Sequence, residues 1–384
     1  MKKNTAQLLR TEVGVTLGLT EGVTVGLDIG DEYSYSTVLD PRGKLLQQGR
    51  ILTTHKALTE YFSVGGRLRV VLEAGTHSRW ISRLLEGLGH EVIVANPRRL
   101  KLIYQSDSKT DSTDSESLAR LGRIDPKLLS PIFHRSEQAQ ADLSVIRSRD
   151  VLVKCRTEMV NSVRGMAKGF GGRLKKCSTP SFHRQARESA ELNEALKPAV
   201  MPLLDMIERL TQEIARFDRL IVKIARKRYP ETERLKQLSG VGALTSLAYV
   251  LTLEDPHRFP NSRKVGSYVG LRSRKNQSGK GDPELRITKA GDSMLRRLLV
   301  TSAQYILGPF GPDCDLRRWG LKLAARGGKN AKKRAVVAVA RKLAVLLHRL
   351  WVTGVDYDPL RNAKRLERRA EIRAIRAERQ WLHA

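Results

Sequence analysis

Between Gly22 and Pro97 the sequence alternates short β-rich runs with helical ones, and that order demands a mixed sheet. Val23–Leu27 is an apolar run ending in Asp28, and Tyr33–Leu39 is rich in β-branched and aromatic residues. Leu45–Leu52 pairs back across the turn Pro41-Arg42-Gly43. A helical stretch over Lys56–Val64 leads through Gly65-Gly66 to Arg69–Leu72, a fourth strand that ends at Glu73. A helix over Arg79–Leu88 and a strand over Glu91–Ala95, closed by Asn96-Pro97, complete the series.

Three hairpin-linked strands followed by helix-linked ones is the order of an RNase H-like α/β domain, in which the first and fourth strands are parallel neighbours. Asp28 and Glu73 would then emerge side by side at one end of the sheet. The polar string Ser106–Ser117 leads into a helix around Asp111–Gly122, where Asp111 and Asp114, three residues apart, share one face. Clustered carboxylates repel, which raises their pKa unless a cation is shared. Two Mg²⁺ ions about 3.5–4 Å apart would relieve the repulsion and assist phosphoryl chemistry. Taken singly, each acid also fits an ordinary role as a strand-end turn residue, a partly buried acid or a helix cap. Gly26 and Gly30 flank Asp28 and read as openings through which a ligand reaches the backbone. The same Gly-Leu-Asp-Ile-Gly string suits the phosphate loop of a sugar kinase, but a second Asp-Gly phosphate loop and a Gly-Gly adenosine site are not evident.

Charge divides the chain. Residues 1–140 hold 19 Lys plus Arg and 16 Asp plus Glu, whereas the remainder holds 51 and 24, within a formal total of +30. A near-neutral first part can do chemistry while a strongly basic second part holds a polyanion. Cys155, Cys177 and Cys314 share no metal-ligand spacing and fit a reducing compartment. No apolar h-region follows Lys2 and Lys3, and Ala335–Trp351 is interrupted by Arg341, Lys342, His348 and Arg349. A cytoplasmic, nucleoid-associated bacterial protein with no membrane partner is expected.

Residues 138–165 and 187–228 read as long helices with heptad-like apolar positions at Leu203, Ile207, Leu210, Ile214, Leu220 and Ile224, joined by Gly169–Pro180. This helical hairpin or coiled-coil arm either holds protomers together or packs within one chain. A mainly helical domain opens at Leu235, with its strongest helix over 329–351. The expected divisions are a tail (1–21), a catalytic unit (22–137), a helical region (138–234), a C-terminal domain (235–354) and a basic helical tail (355–384).

Within Leu235–Thr245, Gly240 and Gly242 form a turn of helix-hairpin-helix type whose backbone N–H groups could approach a phosphate. Tyr268–Gly281 places Arg272, Arg274, Lys275 and Lys280 around Ser278, followed by Arg286, Lys289, Arg296 and Arg297. A serine hydroxyl is a poor nucleophile at neutral pH, and no His–Asp pair is adjacent in sequence. Facing a phosphate held by cations it could attack phosphorus, with a carboxylate taking its proton. On local sequence alone Ser278 is a loop serine beside a flexible glycine, and Ser262, Ser267 and Ser273 compete with it.

Together these strings resemble the insertion-sequence transposases that join a RuvC-like DEDD domain to a C-terminal serine domain, relatives of the Piv-type DNA invertases. The resemblance covers residues 22–350 and rests on Leu-Asp-Ile-Gly, Glu-Ala-Gly-Thr and Lys-Thr-Asp-Ser-Thr-Asp-Ser in the first half. In the second half it rests on Leu-Ser-Gly-Val-Gly, Tyr-Val-Gly-Leu, Gln-Ser-Gly and Ile-Thr-Lys-Ala-Gly-Asp with Leu-Arg-Arg-Leu-Leu. It implies that Asp28, Glu73, Asp111 and Asp114 bind Mg²⁺ and that Ser278 becomes covalently joined to DNA. Ser115 stands where the family usually has Ala. The resemblance further implies a homo-oligomer, dimer or tetramer, with a composite active site. It also implies a structured guide RNA (a bridge RNA) that pairs with donor and target DNA. Aromatic residues make up 5% of the chain, which suits contact with a nucleic-acid backbone better than base stacking. Two rivals stand beside this transposase or site-specific recombinase: a structure-selective endonuclease using metal-activated water, and an RNA-binding scaffold with vestigial acids.

Overall fold

The alternation of residues 24–95 folds as one five-stranded sheet, β1 (Thr24–Ile29), β2 (Tyr33–Leu39), β3 (Leu45–Leu52), β4 (Arg69–Glu73) and β5 (Glu91–Ala95), ordered β3-β2-β1-β4-β5. The computed structural model describes residues 22–371 apart from 64–65, 100–109, 278, 280, 282, 284, 366–367 and 369–370. β1 pairs antiparallel with β2 and parallel with β4, and β5 runs parallel to β4. The β2–β3 turn is locked by Asp40, whose Oδ1 accepts from the N–H groups of Arg42 and Lys44 at 2.9 and 2.8 Å.

Both faces of the sheet are covered, as a sheet with parallel central strands requires. Side chains alternate: Val25, Leu27, Val70 and Leu72 join a core with Leu58 and Phe62 of α1 (His55–Phe62) and with Ile81 and Leu85 of α2 (Ser78–Gly87). On the other face Val71, Ile93 and Ala95 pack with Leu118 of α3 (Asp111–Ile124).

The chain divides after Arg135 into two compact units. The second is helical, with α4 (Glu137–Gly169), α5 (Phe182–Arg187), α6 (Lys197–Arg228), α7 (Glu231–Leu235), α8 (Ala243–Leu253), α9 (Arg263–Tyr268), α10 (Ser293–Leu307), α11 (Asp315–Ala324) and α12 (Ala331–Thr353). The helix expected over 187–228 starts ten residues later than expected. α5 stops at Arg187, and α6 starts at Lys197, with Pro198 in its first turn where a missing N–H is harmless. α4 and α6 pack together as a hairpin. Leu204, Ile207, Ile214, Ile221 and Ile224 of α6 are buried, whereas Leu220 is 41% exposed, because Ile221 rather than Leu220 keeps the inward stripe at 3.6-residue spacing. The base of this hairpin joins a core built around Tyr249, Leu299 and Leu343. Among the described residues no helix is long and apolar enough to cross a membrane. The expected tail over residues 1–21 and most of that over 355–384 lie outside the described residues.

Candidate functional site

The β1–β4 register carries Leu27 opposite Leu72, so Asp28 and Glu73 occupy the next rung at the strand ends. Both side chains are half-buried and engaged by neighbours. Asp111 and Asp114 stand in the first turn of α3, where negative charge is favoured by the helix dipole; Thr110 caps that turn by accepting from the Thr113 N–H at 3.2 Å. Asp111 is exposed and Asp114 half-buried.

What holds α3 over the strand end is Gly26. A Cβ at this position would lie 1.9 Å from the Ser115 carbonyl oxygen and 2.6 Å from the Ala119 nitrogen. The opening expected beside Asp28 is therefore filled by helix backbone rather than by a ligand. Gly30 is likewise closed off, since a Cβ there would meet the Tyr33 carbonyl oxygen at 2.2 Å. Ser115 is buried and fastens the helix to β2 through a 2.7 Å hydrogen bond between its hydroxyl and that of Thr37.

The loops that follow the two strand ends are also tied together, a link that sequence reasoning missed. Trp80 donates its indole N–H to His77 Nδ1 at 3.0 Å, leaving Nε2 to donate to Asp31 Oδ1 at 3.0 Å. The partners are 46 residues apart, and nothing local marks them.

Carboxylate oxygens are the hard donors that Mg²⁺ takes, and this ion commonly uses one or two protein carboxylates with water and phosphate oxygens completing its shell. Asp28 and Glu73 stand on neighbouring strand ends, and Asp111 and Asp114 share the first turn of α3. Among the described residues no group of three or more His, Cys, Asp or Glu side chains is placed to hold a metal ion, so the four acids do not gather into one cluster.

In the second unit the basic segment after α9 is a hairpin. Arg274 N–H donates to the Arg286 carbonyl at 3.0 Å and Thr288 N–H to the Arg272 carbonyl at 2.8 Å, around a Ser273–Ile287 bridge. Its base is clamped. Gly270 and Gly291 have φ of 74° and 70°, and a Cβ on either would strike the facing backbone at 2.2 or 2.1 Å. Arg296 Nη1 donates to the carbonyls of Ala290 and Val269 at 2.7 and 3.2 Å. Arg272, Arg274, Lys275, Arg286 and Lys289 are exposed along the hairpin, and Lys289 itself has a left-handed φ of 55°. Ser278 and Lys280 lie outside the described residues.

Arg297 pairs with Asp150 on α4. Although partial burial opposes it, hydrogen bonds from Lys154 and Arg297 hold the Asp150 carboxyl below the usual carboxylate range. The two glycines before α8 divide in role. Gly240, at φ 83°, is packed against α10, where a Cβ would lie 3.0 Å from the Ser302 carbonyl oxygen. Gly242 is exposed and has open space around it. Ser262, a competing serine, is bonded to His348 Nδ1 at 2.9 Å, while His348 Nε2 bonds the Pro256 carbonyl at 2.8 Å. Since a carbonyl only accepts, Nε2 carries the proton and the Ser262 hydroxyl donates to Nδ1. Burial lowers the His348 pKa, so this buried imidazole stays neutral and pins the loop Pro256–Ser262 to α12.

Two family models match the chain. One, described as transposase IS116/IS110/IS902 family, matches residues 232–313, and the other, a DEDD transposase model of the IS110 group, matches residues 25–170. The chain belongs to this family of transposases. It is 28% identical to the transposase for insertion sequence element IS1111A of Coxiella burnetii, over 86% of this chain and 90% of that protein. It is 28% identical to a probable family 20 transposase of Pseudomonas aeruginosa, over 76% and 86% respectively. It is 25% identical to the transposase for insertion sequence element IS1328 of Yersinia enterocolitica, over 72% and 82%. DNA is thus the substrate of this transposase, and strand cutting and rejoining its general activity. The match over 25–170 takes in Asp28, Glu73, Asp111 and Asp114; the match over 232–313 takes in Gly240, Gly242 and the basic hairpin.

Proposed function

We propose that the transposase exchanges DNA strands through a covalent serine–DNA intermediate, with Ser278 as nucleophile and Asp28, Glu73, Asp111 and Asp114 as the residues that hold Mg²⁺. The observation that carries this reading is the hairpin. The segment joining Lys275 to Leu285, to which position 278 belongs, leaves a base fixed by Gly270, Gly291 and Arg296 and legs lined with exposed cations. Such a frame suits a nucleophile that must meet a phosphate.

Ser278 Oγ attacks the phosphorus of a phosphodiester, and the bond from phosphorus to the 3′-oxygen breaks. The serine proton passes to a carboxylate, and the departing 3′-oxygen takes a proton from that carboxylic acid or from water to leave as a hydroxyl. Arg272, Arg274, Arg286 and Lys289 hold the phosphate's charge during attack. Mg²⁺, when bound, supplies positive charge to the phosphate oxygens. Because one phosphoester bond forms for each that breaks, a different 3′-hydroxyl can reverse the step and reseal DNA without ATP. A structured guide RNA and a homo-oligomer, in which the serine unit of one protomer serves the carboxylates of another, complete the proposal.

Hydrolysis is the second reading, favoured by the strand-end pair Asp28 and Glu73, which could activate water without any serine. Covalent trapping separates the two. Protein, element-end DNA, associated RNA and Mg²⁺ are incubated, denatured and analysed by gel and peptide mass spectrometry. An adduct on Ser278 that disappears in Asp28→Asn is the expected result; cut DNA with no adduct would overturn the covalent route in favour of hydrolysis.

A further inference from the structure

Several cations of the second unit have partners within the chain: Arg149 with Asp218, Arg228 with Asp142, Arg297 with Asp150 and Arg318 with Asp313. One surface differs. Residues 316–355 contain eleven Lys or Arg and no Asp or Glu. α11 and α12 pack as an antiparallel pair, with Gly320 against Val339 and the Lys342 ammonium 3.6 Å from the centre of the Trp319 ring. The turn Ala325–Asn330 therefore forms the tip of the pair. Lys322, Arg326, Lys329, Lys332 and Lys333 are all exposed there, and none of them has an ion pair or side-chain hydrogen bond among the described residues. Gly327 and Gly328, with φ of 79° and 89°, form the turn without adding a side chain. Five like charges thus gather on a surface on the order of 15 Å across, an arrangement that repels itself until an anion neutralises it.

We infer that the α11–α12 tip is a docking surface for the phosphate backbone of duplex DNA, separate from the hairpin that carries position 278. Four of the five cations are Lys, which binds phosphate as a flexible point charge, whereas reading of base edges favours the planar fork of Arg. No aromatic side chain lies between Lys322 and Arg334 to stack on a base. The tip therefore grips DNA without reading it. The choice of DNA rests on the transposase assignment; the choice of surface does not depend on Ser278.

The test is the salt dependence of binding. The variant Lys329→Gln/Lys332→Gln/Lys333→Gln is compared with wild type and with a control of equal charge change on the first unit, Lys44→Gln/Lys56→Gln/Lys127→Gln. Affinity for an element-end duplex, a scrambled duplex and a folded RNA is measured across a KCl series, with thermal melts confirming that both variants fold. Each lost phosphate contact lowers the slope of log K against log salt by about 0.9. The tip variant should lose about 2 to 3 in slope on both duplexes alike, and the control less than about 1. An unchanged slope, or an equal loss in the control, removes the surface from DNA binding. A loss confined to RNA reassigns it to RNA. Failure of the Ser278 reading would appear elsewhere, as wild-type protein that binds and cuts DNA with no adduct.

Discussion

The acidic edge of the sheet and the basic hairpin both present charged side chains at the end of β structure, but they are held in opposite ways. At the edge, Asp28 and Glu73 continue a hydrogen-bonded register that runs through the buried core, and α3 rests on Gly26 with no space between. The hairpin, in its described residues, is joined by the Ser273–Ile287 bridge, has exposed charged legs and is clamped at its base. The placing of the acids is inseparable from the stability of the sheet. The hairpin base, held by Gly270, Gly291 and Arg296, is a local arrangement, so it can be disturbed while the helical core stays folded.

That contrast is broken most severely at Gly26. In Gly26→Ala the new methyl meets backbone atoms, the Ser115 oxygen at 1.9 Å and the Ala119 nitrogen at 2.6 Å, neither of which can swing aside. α3 must lift, taking Asp111 and Asp114 with it. We expect a loss of about 3 kcal/mol, read from urea unfolding followed by circular dichroism, together with loss of DNA cutting. A variant within about 1 kcal/mol of wild type would show that α3 slides freely, and the distinction between edge and hairpin would collapse.

Residue order alone marked much of the edge and little of the hairpin. Tyr33–Leu39, Leu45–Leu52 and Glu91–Ala95 are strands with the limits expected, because β-branched runs are closed by Pro41-Arg42-Gly43 and Asn96-Pro97. The rung shared by Asp28 and Glu73 follows from strand order. The seat of α3 on Gly26 does not, since the contact spans about ninety residues and glycine carries no label for what approaches it. The hairpin is hidden for another reason: Arg272–Thr288 lacks the apolar alternation that betrays a strand, and its pairing rests on backbone atoms. The bond between Ser262 and His348 joins positions 86 residues apart and is equally silent in the sequence.

Arg296→Met sharpens the contrast from the other side. The side chain keeps its bulk but withdraws the donor from the carbonyls of Ala290 and Val269, loosening the hairpin base. Stability should fall by about 1 to 2 kcal/mol, less than at Gly26. Adduct formation should slow by about 10²-fold, the scale set by small misplacements of reacting groups. Cutting that declines no more than stability would show that Arg296 supports the fold and leaves the serine segment's position alone.

The smallest effect concerns pH. The His134 pKa is lowered to about 4 by burial first, and then by the nearby Arg79, Arg83 and Arg135 guanidiniums. Its Nε2 bonds the Ser78 hydroxyl at 3.0 Å, at the start of the helix that follows Glu73. In the unfolded chain this imidazole takes up a proton near 6.5, and in the folded protein only near 4. Between those values the unfolded state binds more protons, so stability declines as pH falls from about 6.5 toward 4 and levels off below. Solvent screening of the half-buried ring limits the contribution to about 1 kcal/mol. His134→Gln should remove that part of the decline, measured as the difference in urea midpoint between pH 7.5 and pH 4.5 for variant and wild type. The segment from Tyr268 to Asp292 contains no histidine, so the hairpin adds nothing of this kind through an imidazole and should respond to salt instead. An acid decline that survives His134→Gln undiminished would move the sensitivity away from the loop beside Glu73 and leave the edge no more pH-dependent than the hairpin.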